Sequence, residues 1–171
     1  VAAIDAVALK MNKLALIHVA TSQMQPAHGQ FDAIHLANRT ALACLGGYSM
    51  SKGLVVLDTL MDIDRGDFPR GGLIDRRGNL NLSGRYLKSL LAFFEPSRLQ
   101  HPLVIEKTST KQAHTLVRFK RNGRQFCLCL SQEIDSTRIK TITQELGKIQ
   151  DCFDLQNGAF IDIDGNESSS A

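Results

Sequence analysis

No stretch of eighteen apolar residues occurs in this chain, so nothing in it predicts a membrane-spanning helix. Residues 1–20 also lack the basic-then-apolar order of a secretory signal, because Lys10 and Lys13 interrupt the apolar patches. Cysteines are few: Cys44, Cys127, Cys129 and Cys152, none in C-x-x-C spacing. That argues against a zinc site and suits a reducing compartment. Cys127 and Cys129 lie two apart in a predicted strand and so point to the same side, as two buried thiols rather than a disulfide. His18, His28, His35, His101 and His114 are scattered without ligand spacing, and ordinary strand or loop positions account for them. No metal and no cofactor is expected. Charge of one sign is scarce as well, with a net value of +3. The densest basic stretch, Arg118 to Arg124, reads as a hairpin with charged edges, so nucleic acid is not an expected partner. No internal repeat or domain boundary is visible.

What is present suits one domain with a real core: 171 residues, 43% apolar and 22% charged. Leu14 to Ala20 is rich in aliphatics and predicts a strand, and Ala33 to Ala37 a second short one. Leu54, Leu57, Leu60 and Met61 recur at helical spacing, which predicts a buried helix from about Met50 to Ile63, ended by Gly66 and Pro69. Gly72 to Asp75 and Asn79 to Leu82 read as two short strands around Arg77-Gly78. Arg85 to Glu95 is an amphipathic helix stopped by Pro96, with Ser83 as a candidate cap. A strand is expected over Leu103 to Glu106. Asn122-Gly123 between the apolar runs His114 to Lys120 and Gln125 to Ser131 is a strong hairpin signal. Asp135 or Ser136 then caps a helix expected to run to about Phe153. The fold class is therefore α+β (mixed α/β), with small sheets and three main helices, over residues 1–164, and a flexible tail over 165–171.

Two stretches have the makings of chemistry. In Gly46-Gly47-Tyr48-Ser49-Met50-Ser51-Lys52 a glycine pair delivers a serine to the start of the expected helix. Free amides there would stabilise a negative oxygen, and glycines would let a substrate chain approach. The second is Gly84-Arg85-Tyr86-Leu87-Lys88-Ser89-Leu90-Leu91-Ala92. A lysine held against apolar surface loses solvation, its pKa falls, and it can accept a serine proton. Each has an ordinary alternative. Ser49 can be a helix cap, with Ser51 a rival for either role, and Lys88 a surface lysine lying past Leu87 and Leu91. Lys52 is a weaker candidate base. Tyr48 can line a cleft or simply pack, and Gly46 and Gly47 can be turn residues.

These pieces resemble the proteolytic domain of Lon proteases and, more closely, the birnavirus VP4 polyprotein proteases. The resemblance covers about residues 30–106: Asp32 to Leu36 as the strand before the serine loop, Ser49 as the serine, Gly72 to Leu82 as the strand pair, and Gly84 to Ala92 as the lysine helix. Ser49 and Lys88 are 39 positions apart, close to the separation in both families. The Asp-Gly-Pro-Ser-Ala-Gly signature of cellular Lon is absent, Arg70 or Gly71 stands where those enzymes place a threonine, and no ATPase module is present. These departures favour a viral-type or stand-alone enzyme. The resemblance implies a Lon-like serine endopeptidase with Ser49 as nucleophile and Lys88 as general base, and an oxyanion and substrate site formed by Gly47, Tyr48 and Ser49. It implies a polypeptide substrate cut after alanine preceded by small residues, and polyprotein processing in a host cytoplasm. Ser169, Ser170 and Ala171 would then be the P3 to P1 residues of a self-cleavage site, against the alternative of an ordinary disordered tail. A second reading belongs to another class. Residues 51–153 also suit the order helix, two strands, helix, three strands, helix, which is similar to non-catalytic, dimeric roadblock or profilin-like scaffolds. Contact between Ser49 and Lys88 distinguishes the first reading; an exposed apolar face distinguishes the second.

Overall fold

The computed structural model describes residues 2–19, 33–62, 71–94, 103–111, 114–121, 123–131, 136–147 and 151–161. Four helices and seven strands are formed among them, an α+β arrangement with three small sheets.

Helix α1 (Ala2–Lys10) has no counterpart among the elements expected from the sequence. Its end is sharply defined: Asn12 takes a left-handed φ of 52°, its amide donates to the Leu9 carbonyl, and the Lys13 amide donates to the Ala8 carbonyl. This is the Schellman arrangement, with asparagine in the position glycine usually fills. The chain then turns directly into strand β1 (Ala15–Val19), inside the strand expected over 14–20. The Asp5 carboxylate of α1 accepts from the amides of Ser51 and Lys52 and so ties the helix to the start of the neighbouring strand. The Lys52 amide, and then that of Ser51, hold the Asp5 carboxyl below its ordinary value. A depressed folded-state pKa means stabilisation that is complete above the ordinary carboxylate value and is lost as pH falls through the lowered one. We expect the NMR shifts of the Ser51 and Lys52 amides to titrate together below the usual aspartate range, and this step to be missing in Asp5→Asn. Titration at the ordinary aspartate value would show the tie to be absent.

Residues 33–62 depart most from expectation. The strand expected at 33–37 and the helix expected at 50–63 are exchanged: helix α2 spans Ala33–Tyr48 and strand β2 spans Gly53–Leu57. Leu36, Ala37, Thr40, Ala41 and Leu45 form the buried face of α2 at four-residue intervals. The first five residues, Ala33 to Ala37, are too few to show a helical period when taken alone. Val55 and Val56, both β-branched, favour the extended form in a run of only five residues. Strands β1 and β2 pair in parallel, from Ala15 with Gly53 to Val19 with Leu57, and α2 is the crossover between them. Gly46 and Gly47 lie inside α2, not in a turn. A Cβ on Gly47 would stand 3.3 Å from Val55 Cγ2, so glycine allows β2 to lie close to the helix.

The two strands expected around Arg77-Gly78 are reduced to isolated bridges, Met61 with Ile74 and Ile74 with Leu80. The Asp75 carboxylate closes the turn by accepting from the amides of Arg77 and Asn79 and from the Asn79 side chain. Helix α3 (Leu82–Phe94) follows. Ser83 is not its cap. The Asn81 carbonyl accepts the first helical bond, from Arg85, while the Ser83 hydroxyl donates to the Gly72 carbonyl.

Strands β3 (Val104–Lys111), β4 (His114–Arg121) and β5 (Arg124–Ser131) form an antiparallel meander, with the expected hairpin between β4 and β5. β3 is longer than expected and carries an irregularity at Glu106. One sheet face presents Val117, Phe119, Leu128 and Leu130 to Ala41 and Leu45 of α2 and to Leu90 and Phe94 of α3, with Leu103 completing the core. Helix α4 (Ser136–Leu146) lies against the other face, where Arg118 donates to the Glu145 carbonyl. It stops short of the expected Phe153 because Gly147, at φ +81°, donates to the Thr143 carbonyl and closes the helix. A small hairpin follows, β6 (Cys152–Asp154) and β7 (Ala159–Ile161), fastened to α3 by the Ser89 hydroxyl on the Leu155 carbonyl. The expected tail over 165–171, with Ser169, Ser170 and Ala171, lies outside the described residues.

Candidate functional site

Ser49 follows the end of α2; it does not open a helix. The expected oxyanion geometry changes accordingly. The Ser49 amide donates to the carbonyls of Leu45 and Gly46, and the hydroxyl donates to the Gly46 carbonyl at 2.7 Å. A helix C-terminus presents carbonyl oxygens and the negative end of the dipole, which disfavours a developing oxyanion. Gly47 is helical. Tyr48 packs on Phe94, ring centroids 4.7 Å apart, and its carbonyl accepts from Leu103. Of the alternatives for Tyr48, packing is the one observed.

Lys88 projects from the exposed side of α3 with Arg85, Leu91 and Ala92, while Ser83, Ser89, Leu90 and Phe94 face inward. Tyr48 marks the Ser49 end of α2, and it meets α3 at Phe94. Lys88 lies six residues earlier, about 9 Å along the helix axis at 1.5 Å per residue. The Ser49 hydroxyl is directed to Gly46 and the Lys88 amine to solvent. Lys52, the weaker candidate, donates from its amine to the Asn12 side chain, and the Ser51 amide is held by Asp5.

All four thiols are half-buried and none is in a disulfide. Burial pushes the Cys129 thiol up to about 11, with the neighbouring Cys127 and Cys152 adding to the shift, and burial raises Cys127 and Cys152 too. Protonated thiols are poor nucleophiles at neutral pH. Among the described residues no group of three or more His, Cys, Asp or Glu side chains is placed to hold a metal ion. No helix among them is long and apolar enough to cross a membrane.

The feature that stands out is a surface. On the β1–β2 sheet, Ala15, Ile17 and Val19 with Gly53, Val55 and Leu57 are half-buried on the side of α2. The alternate positions Leu16, His18, Leu54 and Val56 face outward and are exposed. Leu16 is 66% exposed, Leu54 45% and Val56 42%. Leu14 just before β1 and Leu60 and Met61 just after β2 are also exposed. Parallel strands are ordinarily covered on both faces, because their crossovers and neighbours lie there. The sequence carries this signal: Leu14 to Ala20 is apolar nearly throughout and does not alternate, the pattern of a strand buried on two sides. The β3 edge is different, since the charged Glu106 and Lys107 and the irregularity at Glu106 are features that discourage edge pairing.

No family model, curated protein or solved structure matches this chain.

Proposed function

We propose that this chain is a non-catalytic, scaffold-type α/β domain that binds a protein partner through the outer face of the β1–β2 sheet. The observation that carries the reading is the exposure of Leu16, Leu54 and Val56 side by side on a parallel sheet. Contiguous exposed apolar surface on a folded domain marks an interaction site more often than chance exposure. Support comes also from the order of elements from α2 to α4: helix, strand, the bridged segment at 61–80, helix, three-stranded meander, helix. The scaffold order expected over residues 51–153 starts with a helix, whereas those residues start with strand β2, so the likeness to roadblock or profilin-like scaffolds requires α2, before Ser49, as the first helix and the bridged segment as the second strand.

The Ser/Lys endopeptidase reading rests on residue order and spacing. For it to hold, Ser49 must leave the Gly46 carbonyl and meet an amine carried on the solvent side of α3. One experiment separates the two readings. The chain is prepared with several residues added after Ala171, as wild type, Ser49→Ala and Lys88→Ala, and followed by mass spectrometry. The expected result is an intact extension in all three. Removal of the extension in wild type, abolished by both substitutions, would overturn the scaffold reading and establish the dyad.

A further inference from the structure

Helix α1 is uncovered over most of its circumference. Asp5 and Ala8 are buried, while Ala3, Ile4, Ala6, Val7, Leu9 and Lys10 are exposed. The helical turn continues through Met11, whose amide donates to the Val7 carbonyl. Ile4, Val7 and Met11 therefore share one face, and they are 47%, 56% and 61% exposed. A helix against water carries polar residues outward, yet the outward residues of α1 are apolar except Lys10. Cations gather at its C-terminal end. Lys10 and Lys13 flank Asn12 and are exposed, and the Lys52 amine donates to the Asn12 side chain. Asp5, the sole acid from residue 2 to residue 19, does not offset them: it is buried, and its carboxylate is occupied by the Ser51 and Lys52 amides. Asp58 stands past the other end of β2, six residues from Lys52 and about 20 Å away along an extended chain. We propose that α1 lies on an anionic lipid bilayer, with Ile4, Val7 and Met11 in the acyl boundary and Lys10, Lys13 and Lys52 among the headgroups.

Charge and composition together select this occupant. At nine residues α1 is far too short to cross the hydrocarbon, so it would rest in the interface plane. Residues 2–19 contain no aromatic residue and no arginine. Protein interfaces are enriched in those types and depleted in alanine and lysine, the very residues that α1 exposes. A fluid acyl layer asks for no shaped partner, and aliphatic side chains enter it without leaving a polar group unsatisfied. The lysine stems stay with the apolar surface while their amines reach the phosphate layer. Each lysine near an anionic leaflet strengthens binding by about fivefold. Three cations and a short apolar face give a reversible attachment that salt weakens. This contact is independent of the protein partner proposed for the β1–β2 face, which uses Leu16, Leu54 and Val56.

The test is co-sedimentation of the full chain with vesicles of phosphatidylcholine alone and of phosphatidylcholine with about one third phosphatidylserine. Wild type should bind the anionic vesicles and leave the neutral ones, and added salt should reduce the bound fraction. Val7→Asp should abolish binding. Lys10→Glu combined with Lys13→Glu should weaken it by about twentyfold or more. All three side chains are exposed, and circular dichroism checks that the variants stay folded. The chain has no tryptophan, so Val7→Trp and Leu54→Trp each add a single fluorescent reporter, one on α1 and one on the sheet face. Emission from Val7→Trp should shift to the blue on anionic vesicles, as the ring leaves water. No binding of wild type to anionic vesicles, equal binding to both kinds, or undiminished binding by Val7→Asp would overturn the proposal. A blue shift at position 54 without one at position 7 would do so too, because the sheet would then be the lipid face. If vesicles are not bound and wild type instead self-associates in ultracentrifugation, with Val7→Asp monomeric, a second copy covers α1 and lipid is excluded.

Discussion

Replacing Phe94 by alanine should lower stability by about 3–5 kcal/mol, the cost typical of deleting a buried aromatic ring. Phe94 is 1% exposed, and four side chains from α2, α3 and β4 converge on it. Tyr48 at the end of α2 lies 4.7 Å from it between ring centroids, its neighbour Phe93 lies 5.2 Å away in a T-shaped contact, and Phe119 of β4 lies 5.9 Å away. The Arg121 guanidinium stands 5.3 Å from the ring centre and donates to the carbonyls of both Phe93 and Phe94. That arginine therefore satisfies the open end of α3 and supplies positive charge where the helix dipole is negative. Removing the ring empties the junction of α2, α3 and the meander and leaves the cation without its aromatic neighbour. Against a total stability of roughly 5–15 kcal/mol, typical of domains, this is a large fraction. In urea the midpoint should fall by about 2 M with an unchanged slope near 2 kcal/mol/M. Phe94→Leu, which keeps most of the apolar volume, should lose less than half as much. A loss below about 1 kcal/mol for the alanine variant would mean that the layers do not meet at this ring.

Gly84→Ala should also destabilise, by about 3 kcal/mol, although the same exchange in an exposed helix stabilises by up to about 1 kcal/mol. Gly84 is buried in the first turn of α3, directly against the segment that bridges to Met61. A Cβ there would collide with the Leu73 carbonyl oxygen and approach Leu80 Cδ2 to 3.0 Å. The obstacle is backbone, and that backbone is held: the Leu73 amide donates to the Leu60 carbonyl, and the Leu73 carbonyl accepts from the Asn81 amide. Relief would have to move α3 away from the bridged segment, breaking the Ser83 bond to the Gly72 carbonyl as well. The check is thermal unfolding of Gly84→Ala beside Ala92→Gly, an exchange of the opposite kind on the exposed side of α3. Both should lower the midpoint, Gly84→Ala by more. A higher midpoint for Gly84→Ala would show that the close approach of Leu73 is wrong.

The hairpin between β4 and β5 was legible because its determinants are local: Asn122-Gly123 supplies the turn and the apolar runs on either side set the pairing. Helix α3 was legible for a similar reason, since its apolar stripe spans three turns within one short segment. α2 and β2 were not. In the stretch from 33 to 57 small and aliphatic residues occur on nearly every position, so both periods can be traced through it. Leu54, Leu57, Leu60 and Met61 satisfy the helical period by coincidence. What decides the matter is that Gly47 lets Val55 lie close and that β2 has β1 to pair with, and both are contacts with distant residues. The candidate site followed the same division. The glycine pair before Ser49 suggests a turn into a helix, whereas both glycines lie inside α2.

By itself, then, the sequence determined that the chain forms an α+β fold, where its strongest turn lies, and that residues 14–20 are apolar on both sides. Each of these depends on near neighbours along the chain or on composition. The tertiary structure decided which end of a helix Ser49 occupies, which side of α3 carries Lys88, and which face of the β1–β2 sheet is left open. Those are relations between segments tens of residues apart. They are fixed by packing against α2, α3 and the meander, which no local pattern of residues records.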